Sequence, residues 1–241
     1  VRKRYIGEDS DELRASIEKH QHLKAEAGER LHNRTRLVRL LRAEGFLGLD
    51  AATGSLISAM AASGVFRLGG TIVGTHAFRL YEGELGATLD FDMTAQTGDI
   101  DIASFSRLSL ALEDAASPPL EDVFKDFSFS PLPSMQEGKT WRWKQTRGDT
   151  LVEFLTPSFD ADEGLRRLAA LGVDAQSLHH LNYLIASPIK AAVTYRSGVL
   201  VQIPQPERFA IHNGQNNGRY RSRQGALKSE KDRRQGAVLI Q

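Results

Sequence analysis

Hydrophobic and polar positions change their period several times along the chain, and each change predicts an element. From Ser10 to Glu44 there is no proline and Gly28 is the only glycine, while Leu13, Ile17, Leu31, Val38 and Leu41 recur at helical intervals. His20, Lys24 and Arg34 interrupt that stripe, so with Ser10 as cap the stretch predicts a long helix or a helical pair. Thr53 to Ser63, small and apolar, predicts a second, packed helix. "GVFRLGG" (64–70) predicts a short strand ending in Gly69 and Gly70, and "TIVGTHAFRLY" after it a helix through Ile72, His76 and Leu80.

"GDIDIASFSRL" predicts a strand, followed by a loop at Pro118 and Pro119 and a short helix around Val123. "KTWRWKQTRGDTLVEFLTP" alternates on both sides of the turn signal "TRGD" and predicts a hairpin, with Trp141 and Trp143 on one face and Arg142 and Lys144 on the other. Further on, "ADEGLRRLAALG" and "SLHHLNYLIASP" predict helices, and "KAAVTYRSGVLVQIP" a hairpin turning at Arg196 to Gly198. "HNGQNNGRYRSRQG" predicts a loop or disordered segment, and "KSEKDRRQGAVLI" a basic helix. The expected fold is therefore mixed α/β (α+β) around a small mixed sheet. It divides into a helical N-terminal region (1–64), a central α/β unit (65–158) and a mostly helical region with a hairpin (159–241).

Composition narrows the classes. The 31 basic and 30 acidic residues among 241 leave a net charge of +1, so any affinity for nucleic acid must come from local patches. Arg30, Arg34, Arg36, Arg39 and Arg42 make one, read first as a solvated helix face and alternatively as a nucleic-acid contact. Cysteine is absent, which excludes disulfides and Cys-ligated zinc. No apolar run approaches a membrane span or a signal peptide, so a soluble, cytoplasmic protein without membrane contact is expected.

Candidate chemistry starts at "TGDIDIAS". A strand projects Asp99 and Asp101 to the same face while Ile100 and Ile102 enter the core. Two like charges so placed call for a cation, either a divalent metal or an arginine. The similar "LDFDM", with Asp90 and Asp92, is set aside because "TAQTG" ends its strand. Glu153 in "TLVEFLTP" offers a third carboxylate, with a structural ion pair as its plainer explanation. Gly69 and Gly70 would let a backbone approach a phosphate at the start of the next helix. His76 reads as a surface histidine, and the adjacent His179 and His180 point apart on their predicted helix and share no metal. Core packing is the expected role of the tryptophans.

This order of parts resembles the nucleotidyltransferase superfamily typified by DNA polymerase β, in which a hydrophobic-Gly-Gly motif, an Asp-x-Asp motif and a later single carboxylate follow one another. Here these are "LGGT" at Leu68 to Thr71, "DIDI" at Asp99 to Ile102 and "VEF" at Val152 to Phe154. Within that superfamily "GGTIVGTHAFRLY", "TGDIDIA", "FLTP", "PQPERFAIH" and "KSEKDRRQGA" are similar to the words of one bacterial family, in the same order. The resemblance implies a nucleotidyltransferase palm holding two Mg2+ ions on Asp99, Asp101 and Glu153. It also implies an NTP, ATP among the candidates, near Gly69, Gly70, Thr71, Arg208, Lys228 and Lys231. The implied reaction moves an NMP from the NTP to a hydroxyl of an RNA, a protein or a small molecule and releases pyrophosphate. A noncatalytic nucleotide or RNA binder on the same fold and a toxin-type enzyme acting on tRNA or protein are the alternatives. Two positions depart from the pattern: "NGQNNGRYRS" follows His212 where the family has Lys-Leu and an apolar helix, and Glu153 stands where most relatives carry Asp.

Overall fold

Residues 7–46, 48–89, 98–106, 114–215 and 234–239 are described in the computed structural model. Helix α1 (Asp11–Ala43) starts where Ser10 Oγ accepts the Leu13 N–H at 3.2 Å, and it is one continuous helix with only Val38 buried. It meets the body through its last turns, where Arg42 Nη1 donates to the Thr194 carbonyl at 3.0 Å. Helix α2 (Ala51–Ala62) is capped by Asp50, which accepts the N–H groups of Ala52 and Thr53, and it buries Leu56, Ile57 and Met60.

The chain then departs from the sequence pattern. Residues 64–70 form a turn, and the strand β1 (Thr71–Val73) follows the paired glycines instead of preceding them. The strand expected over 64–70 is thus a turn, and the strand itself lies at Thr71–Val73. A side chain on Gly70 has no room, because its Cβ would lie 2.6 Å from Val65 Cγ1 and 2.8 Å from the Val65 carbonyl oxygen. The turn closes there, with the Gly70 N–H donating to that same carbonyl at 2.9 Å. Helix α3 (Gly74–Leu85) starts only at Gly74, so Ile72 belongs to the strand.

The central elements are β2 (Asp99–Ala103), α4 (Leu120–Asp126), β3 (Phe129–Pro131), β4 (Arg142–Gln145) and β5 (Leu151–Pro157). After them come β6 (Leu165–Leu168), β7 (Val173–Leu178), α5 (Leu181–Ile185), β8 (Ile189–Val193), β9 (Val199–Ile203) and α6 (Pro206–Gln215). Among the described residues seven strands form one sheet, ordered β1-β2-β5-β4-β3, with β7 on β5 and β6 on β7. β5 lies parallel to β2 along one edge; its other edge is shared, the first half pairing antiparallel with β4 and the second half parallel with β7. The strands β8 and β9 make the separate hairpin that the sequence predicts.

Ile100, Ile102, Val152 and Phe154 are wholly buried on one face of the sheet. Trp143 joins them, its ring 4.9 Å from Phe124 of α4 and 5.4 Å from Phe154, so its expected role in the core holds. Helix α6 packs on α3 through Phe209 against Phe78 and Tyr81, and the Tyr81 hydroxyl donates to the Pro204 carbonyl.

Two predicted helices are otherwise. "LRRL" buries Leu165 and Leu168 and exposes both arginines, an i, i+3 pattern that reads as a helix but here forms β6, paired with an unpredicted β7. Ser177 and Leu178 belong to β7, and the helix predicted there is reduced to α5; His179 and His180 sit in the turn before it. The segment predicted as loop after His212 is still helical to Gln215, and of the predicted basic helix only 234–239 are described, with 234–238 helical. Gly70→Ala should cost about 1–3 kcal/mol, the usual penalty of overpacking a tight site. The measurement is a thermal melt, with a drop of several degrees expected for a chain of this size.

Candidate active site

One polar row crosses the otherwise apolar sheet. In the strand register Asp101 of β2 lies between Val73 of β1 and Glu153 of β5, and Glu153 lies opposite Arg142 of β4. Directly paired residues project to the same face, and neighbouring strands are about 5 Å apart, so the two carboxylates and the guanidinium stand side by side. Asp99 is on the same face two residues earlier. All four side chains are partly exposed, in contrast to Ile100, Ile102, Val152 and Phe154 beneath them.

The protein supplies a cation in this row, beside Glu153 and one strand beyond it from the aspartates. Arg142 Nη1 lies 4.0 Å from Glu153 Oε1, and its guanidinium carbon is 4.5 Å from the centre of the Trp141 ring. On the other side of Asp101 the backbone closes in. Gly74, the first residue of α3, has φ of 66°, and a Cβ there would lie 2.6 Å from Asp101 Oδ2. A side chain at this position would be strained and would strike the carboxylate. The preceding Val73 has no polar side chain to cap the helix, and the first turn of α3 begins beside Asp101, where its N–H groups favour an anion.

The glycine at the carboxylates is thus Gly74, and not the pair that the sequence reading chose. Gly69, with φ of 89°, and Gly70 shape the turn before β1, and packing on Val65 accounts for Gly70. Thr71 is 1% exposed and pairs with Ala103, two residues along from the Val73–Asp101 level. Arg208 is engaged in its own neighbourhood: Nε donates to Gln205 Oε1 and Nη1 to the Tyr183 carbonyl, both at 2.8 Å, with the guanidinium over the Tyr183 ring. Lys228 and Lys231 lie outside the described residues.

His76, expected at the surface, is 5% exposed. Burial of the Asp50 carboxyl resists its ionisation, yet hydrogen bonds from Thr53 and Ala52 and the charge of His76 outweigh that and hold it below the usual carboxylate range. His179 lies 3.0 Å from a Glu163 carboxylate oxygen and 2.9 Å from the Asp160 carbonyl, and it sits with His180 in a turn and not on the predicted helix.

Among the described residues no three His, Asp or Glu side chains gather closely enough to enclose a metal ion by themselves. The donor chemistry suits Mg2+ all the same. That ion keeps several waters and is commonly held by one or two carboxylates together with substrate phosphates, and a partly exposed pair of carboxylates beside a helix N-terminus is such a half-site. No described helix is long and apolar enough to cross a membrane.

No curated protein matches the chain. The solved structure of the antibiotic-resistance factor ANT(2'')-Ia is similar at 14% identity and a TM-score of 0.46, over 80% of this chain and 86% of that one, a likeness of general outline. A family described as nucleotidyltransferase matches residues 51–241, from the first residue of α2 onward. With the greater part of its length so matched, and with Asp101, Glu153 and the start of α3 set together on one sheet face, this chain belongs to the nucleotidyltransferase family and is an enzyme of that class.

Proposed function

We propose that the protein transfers a nucleoside monophosphate from an NTP to a hydroxyl acceptor and releases pyrophosphate. The observation that carries this reading is the register of Asp101 with Glu153, with the N-terminus of α3 pressed against Asp101. The triphosphate lies along that N-terminus, where backbone N–H groups donate to its oxygens, and Gly74 leaves room for the Asp101 carboxylate beside it. Asp99 and Asp101 would hold Mg2+, with Glu153 as a further ligand, two ions being expected. When bound, these ions neutralise the triphosphate and make the acceptor hydroxyl easier to ionise.

Glu153 stands on the far side of Asp101 from α3 and takes the proton of the acceptor hydroxyl. The acceptor oxygen forms a bond to the α-phosphorus in line with the leaving group. The bond from that phosphorus to the bridging oxygen breaks, and pyrophosphate departs with the electron pair. Such a reaction draws on nucleotides and magnesium, which suits a cytoplasmic setting.

Asp99→Asn together with Asp101→Asn removes the charge that holds magnesium at nearly constant volume. Transfer of label from an α-labelled NTP should vanish while the melting temperature stays level or rises as like-charge repulsion is relieved. Near-native transfer in that variant would move the site elsewhere. Glu153→Gln should separate binding from chemistry: magnesium-dependent NTP affinity stays largely intact and the transfer rate falls about 100-fold or more. A destabilised variant with normal turnover would make Glu153 a structural partner of Arg142 alone. In the native protein an NTP with Mg2+ should raise the melting temperature, by about 2.7 kcal/mol of stabilisation at a hundredfold excess over Kd, and neither component alone should do so.

A further inference from the structure

Arg142 has more binding capacity than its surroundings use. Its Nη1 touches Glu153 only at 4.0 Å, and its Nε, although buried, has no hydrogen-bond acceptor among the described residues. A guanidinium carries five N–H donors in a planar fork that matches a carboxylate or phosphate two at a time, and a buried donor without an acceptor is costly. The guanidinium carbon lies 4.5 Å from the centre of the Trp141 ring, a cation–π contact, while the side chain is 36% exposed. The next same-face residue of β4 is Lys144, exposed and 3.9 Å from Asp149. Thus the polar row ends in a cation that contacts an aromatic ring and is incompletely paired.

Position gives that cation a role. The row runs from the start of α3 through Asp101 and Glu153 to Arg142. If the NTP phosphates occupy the α3 end and Glu153 receives the acceptor's proton, as in the function proposed above, Arg142 lies on the acceptor's side of the reacting centre. We propose that Arg142 binds an anionic group of the acceptor, and that the acceptor is a phosphate-bearing molecule whose phosphate lies close to the hydroxyl that receives the nucleotide. The planar fork favours phosphate oxygens in a bidentate contact, and the same positive charge disfavours a polycationic acceptor. The phosphate can belong to an RNA end or to a small phosphorylated alcohol; both offer the same oxygens.

The test is a binding measurement, independent of turnover. The protein is saturated with Mg2+ and an ATP analogue whose α–β linkage cannot be cleaved, then titrated with four probes. These are a short oligoribonucleotide with a free 3′-hydroxyl, glycerol 3-phosphate, glycerol, and a cationic aminosugar. Native protein, Arg142→Met and Arg142→Lys are compared, the methionine retaining a stem to cover Trp141 and the lysine retaining the charge. At least one phosphate-bearing probe should bind the native protein in preference to glycerol and the aminosugar. Its affinity should fall tenfold or more in Arg142→Met and recover in part in Arg142→Lys, with analogue affinity and melting temperature little changed. The oligoribonucleotide binding alone identifies a nucleic-acid source, and glycerol 3-phosphate binding a small-molecule one. Equal binding of the phosphate probes to native and Arg142→Met proteins, no binding of either, or preference for the aminosugar overturns the proposal. Arg142-dependent phosphate binding in a protein that transfers no nucleotide would overturn the reaction proposed above and leave this site standing.

Discussion

The parallel pairing of β2 with β5 is the constraint on which the site depends. It aligns Asp101 with Glu153 and stacks Ile100 and Ile102 beside Val152 and Phe154 on the opposite face. A slip of β2 by one residue would turn Asp99 and Asp101 toward the core and Ile100 and Ile102 out of it, a large cost against the marginal stability of a domain. The hydrophobic face thereby enforces the polar one. Repulsion between the carboxylates is tolerated because the apolar side holds the register, with Arg142 and the start of α3 offsetting part of the charge.

How far this was legible in the sequence depended on distance along the chain. The hairpin of β4 and β5 was readable almost to the residue: a four-residue turn "TRGD" between Gln145 and Thr150 pairs 145 with 150 and therefore 142 with 153. Alternation placed Arg142 on the polar face, and only that arithmetic was lacking to place it beside Glu153. The partnership of β2 with β5 is a contact between distant segments with no local signal. The exchange of β4 for β7 along one edge of β5 is hidden for the same reason, since β6 shows an i, i+3 spacing that mimics a helix. Paired glycines drew attention to 69 and 70, although "VGT" carried the glycine whose positive φ meets Asp101.

The matched family region begins at Ala51, so α1 stands outside it. Its arginines sit on a largely exposed helix, as the plainer reading of the sequence expects, with Arg30 near Glu26 at 3.8 Å and Arg42 on Thr194. A helix this exposed gains little from burial and depends on length, its Ser10 cap and intrahelical pairs. Its structural link to the rest is the seam around Val38, Arg42 and the β8–β9 turn at Gly198, while the polar row lies on the central sheet.

The looseness of the Arg142–Glu153 pair sets how much the contact can contribute. A tight, fully buried salt bridge would hold Glu153 against any change of partner, since breaking one such pair leaves an uncompensated charge in a medium of low dielectric. At 4.0 Å, with the arginine side chain 36% and the glutamate 22% exposed, the contact is screened by water and falls in the class worth ~0–1 kcal/mol. The ion pair itself therefore adds little to what holds Glu153 in its present orientation. The Trp141 ring, its centre 4.5 Å from the guanidinium carbon, gives Arg142 a contact that does not depend on Glu153.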